Sequence, residues 1–193
     1  MPEEKFKAAL IEQAHIHADH SVLDFGCGSA TLSVMAKEMS PGSKISGVDI
    51  DLNNIAIAKS KISEQGVEIN IDTYDGVVLP YEDNSFDKVI SSLVFHHLTA
   101  EQKINSLKEI MRVLKPGGEL HIADWCKAKN AISRGAFYLV QILDGFETTT
   151  DNVKGLLPKF IKESGFDKVQ ETMFFNTIFG TLGLIKAIKA ERL

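Results

Sequence analysis

Val22–Leu23–Asp24–Phe25–Gly26–Cys27–Gly28–Ser29–Ala30–Thr31–Leu32 decides how the chain reads. Apolar residues flank one acid, two glycines follow one residue apart, and a helix-type pattern begins after the small residue Ala30. That order describes a short buried strand running into a tight turn and a helix N-terminus. Glycines at 26 and 28 permit positive φ and let a ligand approach where a Cβ would collide. The turn also brings that ligand to unpaired N–H groups at the positive end of the helix dipole. A nucleoside-like or carboxylate-bearing molecule is the expected occupant.

Working outward, residues 3–19 read as an amphipathic helix with Phe6, Ala9, Leu10 and Ala14 on one face. His15, His17, Asp19 and His20 cluster at its end, but their spacing is poor for one helical face. They read as surface histidines near a helix end, and no metal site is assigned. After the glycine turn, Leu32, Met35, Ala36 and Met39 recur at helical spacing until Ser40–Pro41–Gly42–Ser43 stops the helix. Lys44–Asp49 is a second strand ending on an acid. Asp51 then caps a helix packing through Ile55, Ala58 and Ile62, which Gln65–Gly66 ends. Glu68–Asp72 and Phe86–Ser92 are further strands, separated by the turn-rich Leu79–Ser85. A helix from Ala100 to Leu114 is closed by Lys115–Pro116–Gly117–Gly118, before a strand at Glu119–Asp124. Phe137, Tyr138, Val140 and Leu143 suggest a helix, and Thr148–Asp151 looks like the cap of another running to Gly165. Two late strands fall near 167–173 and 181–189.

Strands alternating with helices imply a doubly wound α/β sheet covered on both faces. Ligands in such sheets bind beyond the C-terminal strand ends, at the switch point beside the first strand. Gly26, Gly28, Asp49, Asp75 and Ser92 all fall at such ends. Asp49 is placed to accept hydrogen bonds from both hydroxyls of a ribose. Asp75 is open to two readings: acceptor for an exocyclic adenine amine beside the Gly76 backbone, or an ordinary turn acid. Asp24, costly inside a strand unless paired, either supports the glycine turn or bonds a ligand ammonium.

The bulk numbers exclude more than they assign. At 193 residues the chain is expected to form one domain, residues 1–193, and its composition is that of a globular protein. A net charge of −5 gives no global reason to bind nucleic acid or an anionic membrane. Cys27 and Cys126 stand in no metal-type or disulfide pattern. No signal-peptide pattern or bilayer-length apolar run is seen, so the cytoplasm is the expected compartment.

Asp24–Ala30, Gly47–Val48–Asp49 and Tyr74–Asp75–Gly76, followed by Leu79–Asp87, Phe95–Leu98 and Leu114–Gly118, together resemble the class I S-adenosylmethionine-dependent methyltransferases. Within them the set resembles the type 11, ubiquinone/menaquinone-biosynthesis-like group, over roughly residues 20–125. The resemblance implies a three-layer Rossmann-like sheet of seven strands, ordered 3-2-1-4-5-7-6, with the last antiparallel. It implies S-adenosyl-L-methionine as cofactor and S-adenosyl-L-homocysteine as product. The methionine portion would lie over Gly26, Cys27 and Gly28, with Ala30 and Thr31 opening the helix. The ribose would sit on Asp49, the adenine between Ile50 and Asp75–Gly76, and the methionyl end against Ser92 and Leu93. Many relatives carry a third glycine where Ala30 stands, and its methyl is expected to narrow the turn. The rival G-x-G-x-x-G of nicotinamide dehydrogenases would need glycine where Thr31 stands.

Methyl transfer from a sulfonium needs alignment in a dry pocket more than acid catalysis. His96 and His97, at a strand end, either serve as general base or bond locally at the strand–helix junction. Tyr138 and Phe146 either line the acceptor pocket or pack in the core. Residues 1–20 are expected to cover the site and 125–165 to supply helices on the substrate side. That small roof favours a small-molecule acceptor, in a monomer or homodimer. The alternative is a cofactor-binding subunit without catalysis.

Overall fold

Alternation along Ser21–Phe25 sends Val22 and Asp24 to one face of the first strand and Leu23 and Phe25 to the other, and both faces are buried. The computed structural model describes residues 3–127, 151–152, 154–177 and 180–191. The helices are α1 (Glu3–Ala14), α2 (Thr31–Met39), α3 (Leu52–Gln65), α4 (Ala100–Val113) and α5 (Leu157–Glu163). The strands are β1 (Ser21–Phe25), β2 (Lys44–Asp49), β3 (Asn70–Thr73), β4 (Phe86–Ser92), β5 (Leu114–Trp125), β6 (Asp167–Thr177) and β7 (Gly180–Ile188). A single-turn 3-10 helix covers Phe95–His97.

The seven strands form one sheet in the order β3-β2-β1-β4-β5-β7-β6. β3, β2, β1, β4 and β5 pair in parallel, and β7 runs antiparallel to both neighbours. One face packs Val22, Ile45, Ile90 and Ala123 against Phe6, Leu10 and Ala14 of α1, with Leu32 and Ala36 of α2 and Ile55 and Ala58 of α3. The other packs Leu23, Phe25, Val89, Leu120 and Ile122 against Leu107 and Ile110 of α4 and Leu157 and Ile161 of α5. Order and layering match the architecture implied by the sequence resemblance.

The caps of α3 behave as read, and α4 has one that was not read from sequence. The Asp51 side chain accepts from Asn53 N at 2.8 Å, and Gly66 closes α3 at φ +64°. Thr99 and Gln102 form a reciprocal capping box on α4. Five boundaries differ, the simplest being that β6 runs on to Thr177 instead of ending near 173. The first helix stops at Ala14 because His15 takes φ +46°, so its end falls short of the histidine cluster. The third strand lies at Asn70–Thr73, two residues later at its start than expected. Lys115–Pro116–Gly117–Gly118 does more than close α4. It is a bulge inside β5, where Leu114 pairs with Phe86 and Glu119 with Lys88. Gly117 at φ +76° makes that bend, and its N–H donates to Lys189 O at 2.9 Å. The last helix starts only at Leu157, since Gly155 at φ +71° breaks the preceding turn and Pro158 sits in the first turn of α5. The helix expected around Phe137–Leu143, and with it Tyr138 and Phe146, lies outside the described residues.

The sheet ends unevenly. β3 is four residues long, and β6 carries Asp167, Lys168, Gln170 and Glu171 on a largely exposed strand. On the first face, Gln13 of α1 sits 3.1 Å from His121 Nδ1, and its amide donates to Ile185 O at 3.4 Å, tying the helix to β5 and β7. Ile110, fully buried in α4, is a direct test of the second core. Ile110→Ala should cost about 2–5 kcal/mol, whereas Leu52→Ala, at a position 68% exposed, should cost under about 0.5 kcal/mol; urea denaturation of both reads the contrast.

Candidate active site

The strand order reverses between β1 and β4, and a cleft of about 420 Å³ opens there, beyond the C-terminal ends of the parallel strands. That volume lies within the ~300–1,000 Å³ typical of small-molecule sites. One wall is the turn after β1, from Gly26 to Ser29, with Thr31. A second is the β2 end, with Asp49, Ile50 and Asp51. Ser92, Leu93, Val94, His97 and Leu98 come from the end of β4, and Tyr74 from the end of β3. Asn54 of α3 and Glu3 and Lys7 of α1 complete it.

The glycine turn is built by β2. Val48 O accepts from both Gly26 N (2.9 Å) and Cys27 N (3.0 Å). Asp49 Oδ2 accepts from Gly28 N at 2.8 Å, and its Oδ1 from Asp51 N at 2.9 Å. A carboxylate offers about four acceptor positions, so two such bonds leave capacity for a ligand. Gly26 and Gly28 have φ +69° and +53°. A Cβ on Gly26 would lie 2.4 Å from a Val94 methyl, whereas one on Gly28 would meet nothing within 4 Å. Gly26 is therefore glycine for packing, and Gly28 leaves open cleft above it. Ala30 adopts φ +58°, ψ 25°, the left-handed conformation a glycine would take easily, and caps α2 without a side-chain hydrogen bond. Alanine is thus tolerated at this position in a left-handed conformation.

Leu93 is also left-handed, at φ +59°, an unusual state for a bulky residue. Its N–H donates to Ala123 O at 2.8 Å, so the strained bend is held by β5 while Ser92, Leu93 and Val94 face the cleft. Ser92 Oγ is buried with no hydrogen-bond partner among the described residues. Burial pushes the Tyr74 hydroxyl up to about 12 and the Cys27 thiol well above its ordinary value, so both stay protonated at neutral pH.

Several expected residues lie elsewhere. Asp24 is beneath the turn, outside the cleft lining and 1% exposed. Ser33 Oγ of α2 donates to its Oδ2 at 2.6 Å. Ala30 is fully buried. Asp75 is exposed and accepts from Val77 N and Val78 N through Oδ1, which holds its carboxyl below the usual range. The adjoining Gly76 lies against Ile50, whose Cγ2 would be 3.9 Å from a Cβ there, so this turn borders the cleft mouth without lining it. The two histidines separate: His97 is exposed to the cleft and His96 is 3% exposed behind it. His96 Nδ1 donates to Asp124 Oδ1 at 2.8 Å, and the two rings stand 3.9 Å apart between centroids. Asp124 also accepts from Trp125 N at 2.6 Å and from Asn152 Nδ2 at 3.3 Å. Local bonding at the strand–helix junction is thus the geometry of His96. Among the described residues no group of three or more His, Cys, Asp or Glu is placed to hold a metal ion.

Glu3, Lys7, Asn54 and Val94 line the cleft without standing in any of the motifs read from sequence, and Tyr74 and Leu98 line it from motifs in which neither was assigned a role. One signal was present: Lys7, Leu10 and Ala14 share a helical stripe, so a lysine occupies an apolar position.

With this geometry in hand, the chain can be set beside known proteins. The sequence model of the methyltransferase domain matches residues 22–118, half of the chain. The chain belongs to the methyltransferase-domain family. Its sheet is that of the class I S-adenosylmethionine-dependent methyltransferases. It is 27% identical over 177 residues to methyltransferase GfsG of Streptomyces halstedii, covering 88% of this chain and 60% of that protein. It is 31% identical over 136 residues to a demethylmenaquinone methyltransferase of Thermus thermophilus, covering 70% of this chain and 59% of the other. The chain thus spans about 60% of the length of these two curated relatives. A structure of Haemonchus contortus phosphoethanolamine N-methyltransferase 2 in complex with S-adenosyl-L-methionine shares the fold, at TM-score 0.77 and 16% identity over 96% of this chain and 52% of that one.

The buried Asp24 yields a test of how this methyltransferase fold supports its turn. Burial pushes its carboxyl from 3.8 up to about 6, against the opposing pull of the Ser33 hydrogen bond. An acid with a raised folded value binds its proton more tightly when folded, so its stabilising contribution is complete below the unfolded value and is lost as pH rises through the folded one. Relative to Asp24→Asn, the wild type should therefore lose up to about 3 kcal/mol of stability between about pH 4 and pH 6. Urea denaturation at each pH measures this, and a gap that stays constant or widens upward would refute the buried acid.

Proposed function

We propose that the chain binds S-adenosyl-L-methionine across the ends of β1, β2 and β4 and transfers its methyl group to a small-molecule acceptor. The observation that carries this reading is the Asp49–Gly28 pairing: an acid with unused acceptor capacity beside a glycine whose missing side chain leaves open cleft. The residues fit the cofactor. Asp49 suits a pair of ribose hydroxyls, and Ile50, 60% exposed, offers an apolar surface for adenine beside the Asp75–Gly76 turn. Gly26, Cys27 and Gly28, with Thr31 opening α2, face the amino-acid portion. Ser92, whose hydroxyl is buried and without a partner among the described residues, and the strained Leu93 border the reacting end. Asp24 and Ala30 act from below, by supporting the turn.

When bound, the cofactor supplies an electrophilic methyl on a sulfonium whose departing thioether needs no proton. The chain's part is therefore to hold, orient and keep dry. Leu93, Val94 and Leu98 give the acceptor side an apolar wall that excludes water. His97 is the residue placed to take a proton from an acceptor that carries one. His96, fixed by Asp124, holds the neighbouring ring in place as a positioning residue. A net charge of −5 and a cleft partly roofed by α1 favour a small acceptor over a nucleic acid. Among the described residues no helix is long and apolar enough to cross a membrane.

Calorimetry with S-adenosylhomocysteine tests binding, and transfer of labelled methyl into a small-molecule extract tests catalysis. Saturable binding with a labelled product is expected; binding without transfer would instead make the chain a silent cofactor-binding subunit. Gly28→Ala separates affinity from folding. It should weaken S-adenosylhomocysteine at least tenfold by filling the cleft, while costing only about 1 kcal/mol of stability from the positive φ. Asp49→Ala should also abolish most of the affinity, and unchanged binding would remove the ribose assignment.

A further inference from the structure

Glu3 and Lys7 stand one turn apart on α1, and both line the cleft. Lys7 Nζ donates to Glu3 Oε1 at 2.6 Å, yet the lysine side chain is only 10% exposed while that of the glutamate is 49% exposed. An ordinary pair at this spacing lies on the solvent face of a helix. Here it is turned inward, on the stripe that continues as Leu10 and Ala14 into the core. A buried ammonium is costly unless further polar partners complete it, and it carries three donors.

Three neighbours locate the pair along the cleft. Lys7 acts on the charge of Asp24 beneath the glycine turn. Glu3 feels Lys61, whose Nζ donates to Thr31 Oγ1 at 2.8 Å and to Ser29 Oγ at 3.2 Å. These charge interactions, and the cleft lining the pair shares with Gly26–Ser29 and Thr31, place it beside the glycine turn and the start of α2. The Gln13 contacts to β5 and β7 hold α1 in that position.

Resting on the cofactor reading above, we propose that Glu3 and Lys7 are the clamp for the zwitterionic amino-acid end of the adenosyl ligand. Lys7 takes the α-carboxylate and Glu3 the α-ammonium. One acid and one base held side by side are complementary to a group that carries both charges. Asp24 does not fill the ammonium role, because its carboxyl lies outside the cleft and is bonded to Ser33. On binding, the ion pair between the two side chains is exchanged for two pairs with the ligand, so α1 closes on a zwitterion and gains nothing from a bare nucleoside.

Three thioether nucleosides test this by calorimetry. S-adenosylhomocysteine carries both charges, S-adenosyl-3-thiopropylamine keeps only the amine, and 5′-methylthioadenosine has neither. Lys7→Met should weaken S-adenosylhomocysteine roughly tenfold or more and leave the other two within about twofold. Glu3→Gln should weaken the two amine-bearing ligands and spare methylthioadenosine, and Lys7→Arg should restore most of the loss. Circular dichroism on each variant checks that α1 remains folded. Equal losses for all three ligands, or no loss for S-adenosylhomocysteine, would overturn the clamp while leaving the cofactor reading intact. Failure of the unmodified chain to bind any of the three would overturn both.

Discussion

The end of β2 holds the cleft together. Val48 contributes its carbonyl to two N–H groups of the turn after β1, and Asp49 spans a third N–H and the start of α3. These bonds keep Gly26, Gly28 and Ala30 in left-handed conformations that an isolated peptide would leave readily. They couple two neighbouring strands at the rim where the sheet changes direction. Charge, shape and backbone strain thus meet in a few residues, and α2 and α3 start from the geometry set there.

The opposite wall follows a similar logic. Leu93 is forced into a strained bend, β5 secures that bend through Ala123, and the displaced chain brings Val94 against Gly26. The absence of a side chain at position 26 is therefore set by a residue far away in sequence. Behind this wall Asp124 gathers His96, the Trp125 amide and Asn152. Each half of the cleft is braced by one carboxylate: Asp49 from within the lining and the buried Asp124 from behind it.

The sheet and most of its helices were legible because local patterns and tertiary demands agree in them. Val22–Phe25 alternates as its two buried faces require, Asp51 caps as its chemistry dictates, and Gly66 ends α3 where positive φ is needed. The failures share a cause. His15 ends α1 through a backbone state its side chain does not advertise. Lys115–Gly118 has the composition of a helix stop, yet the β7 end at Lys189 recruits it into the sheet, and no local pattern contains that partner. In the site, Gly28 and Asp49 could be read because their chemistry is carried in sequence order. The separation of His96 from His97, the burial of Asp24 and the inward turn of Lys7 depend on which element packs over them. Of these only Lys7 left a trace, as a charge on an apolar stripe.

The unequal margins of the sheet bear on how the molecule behaves in a crowded solution. β3 is too short to template a long partner, and β6, although eleven residues long, is studded with charge near its start. Alternating acid and base along an open strand makes another chain's backbone pay desolvation before it can pair there. The most apolar strands are sequestered in the middle, between helices, while the short β3 and the charged start of β6 stand at the margins. Placing the cleft at the centre of the sheet leaves its two borders free to be poor templates.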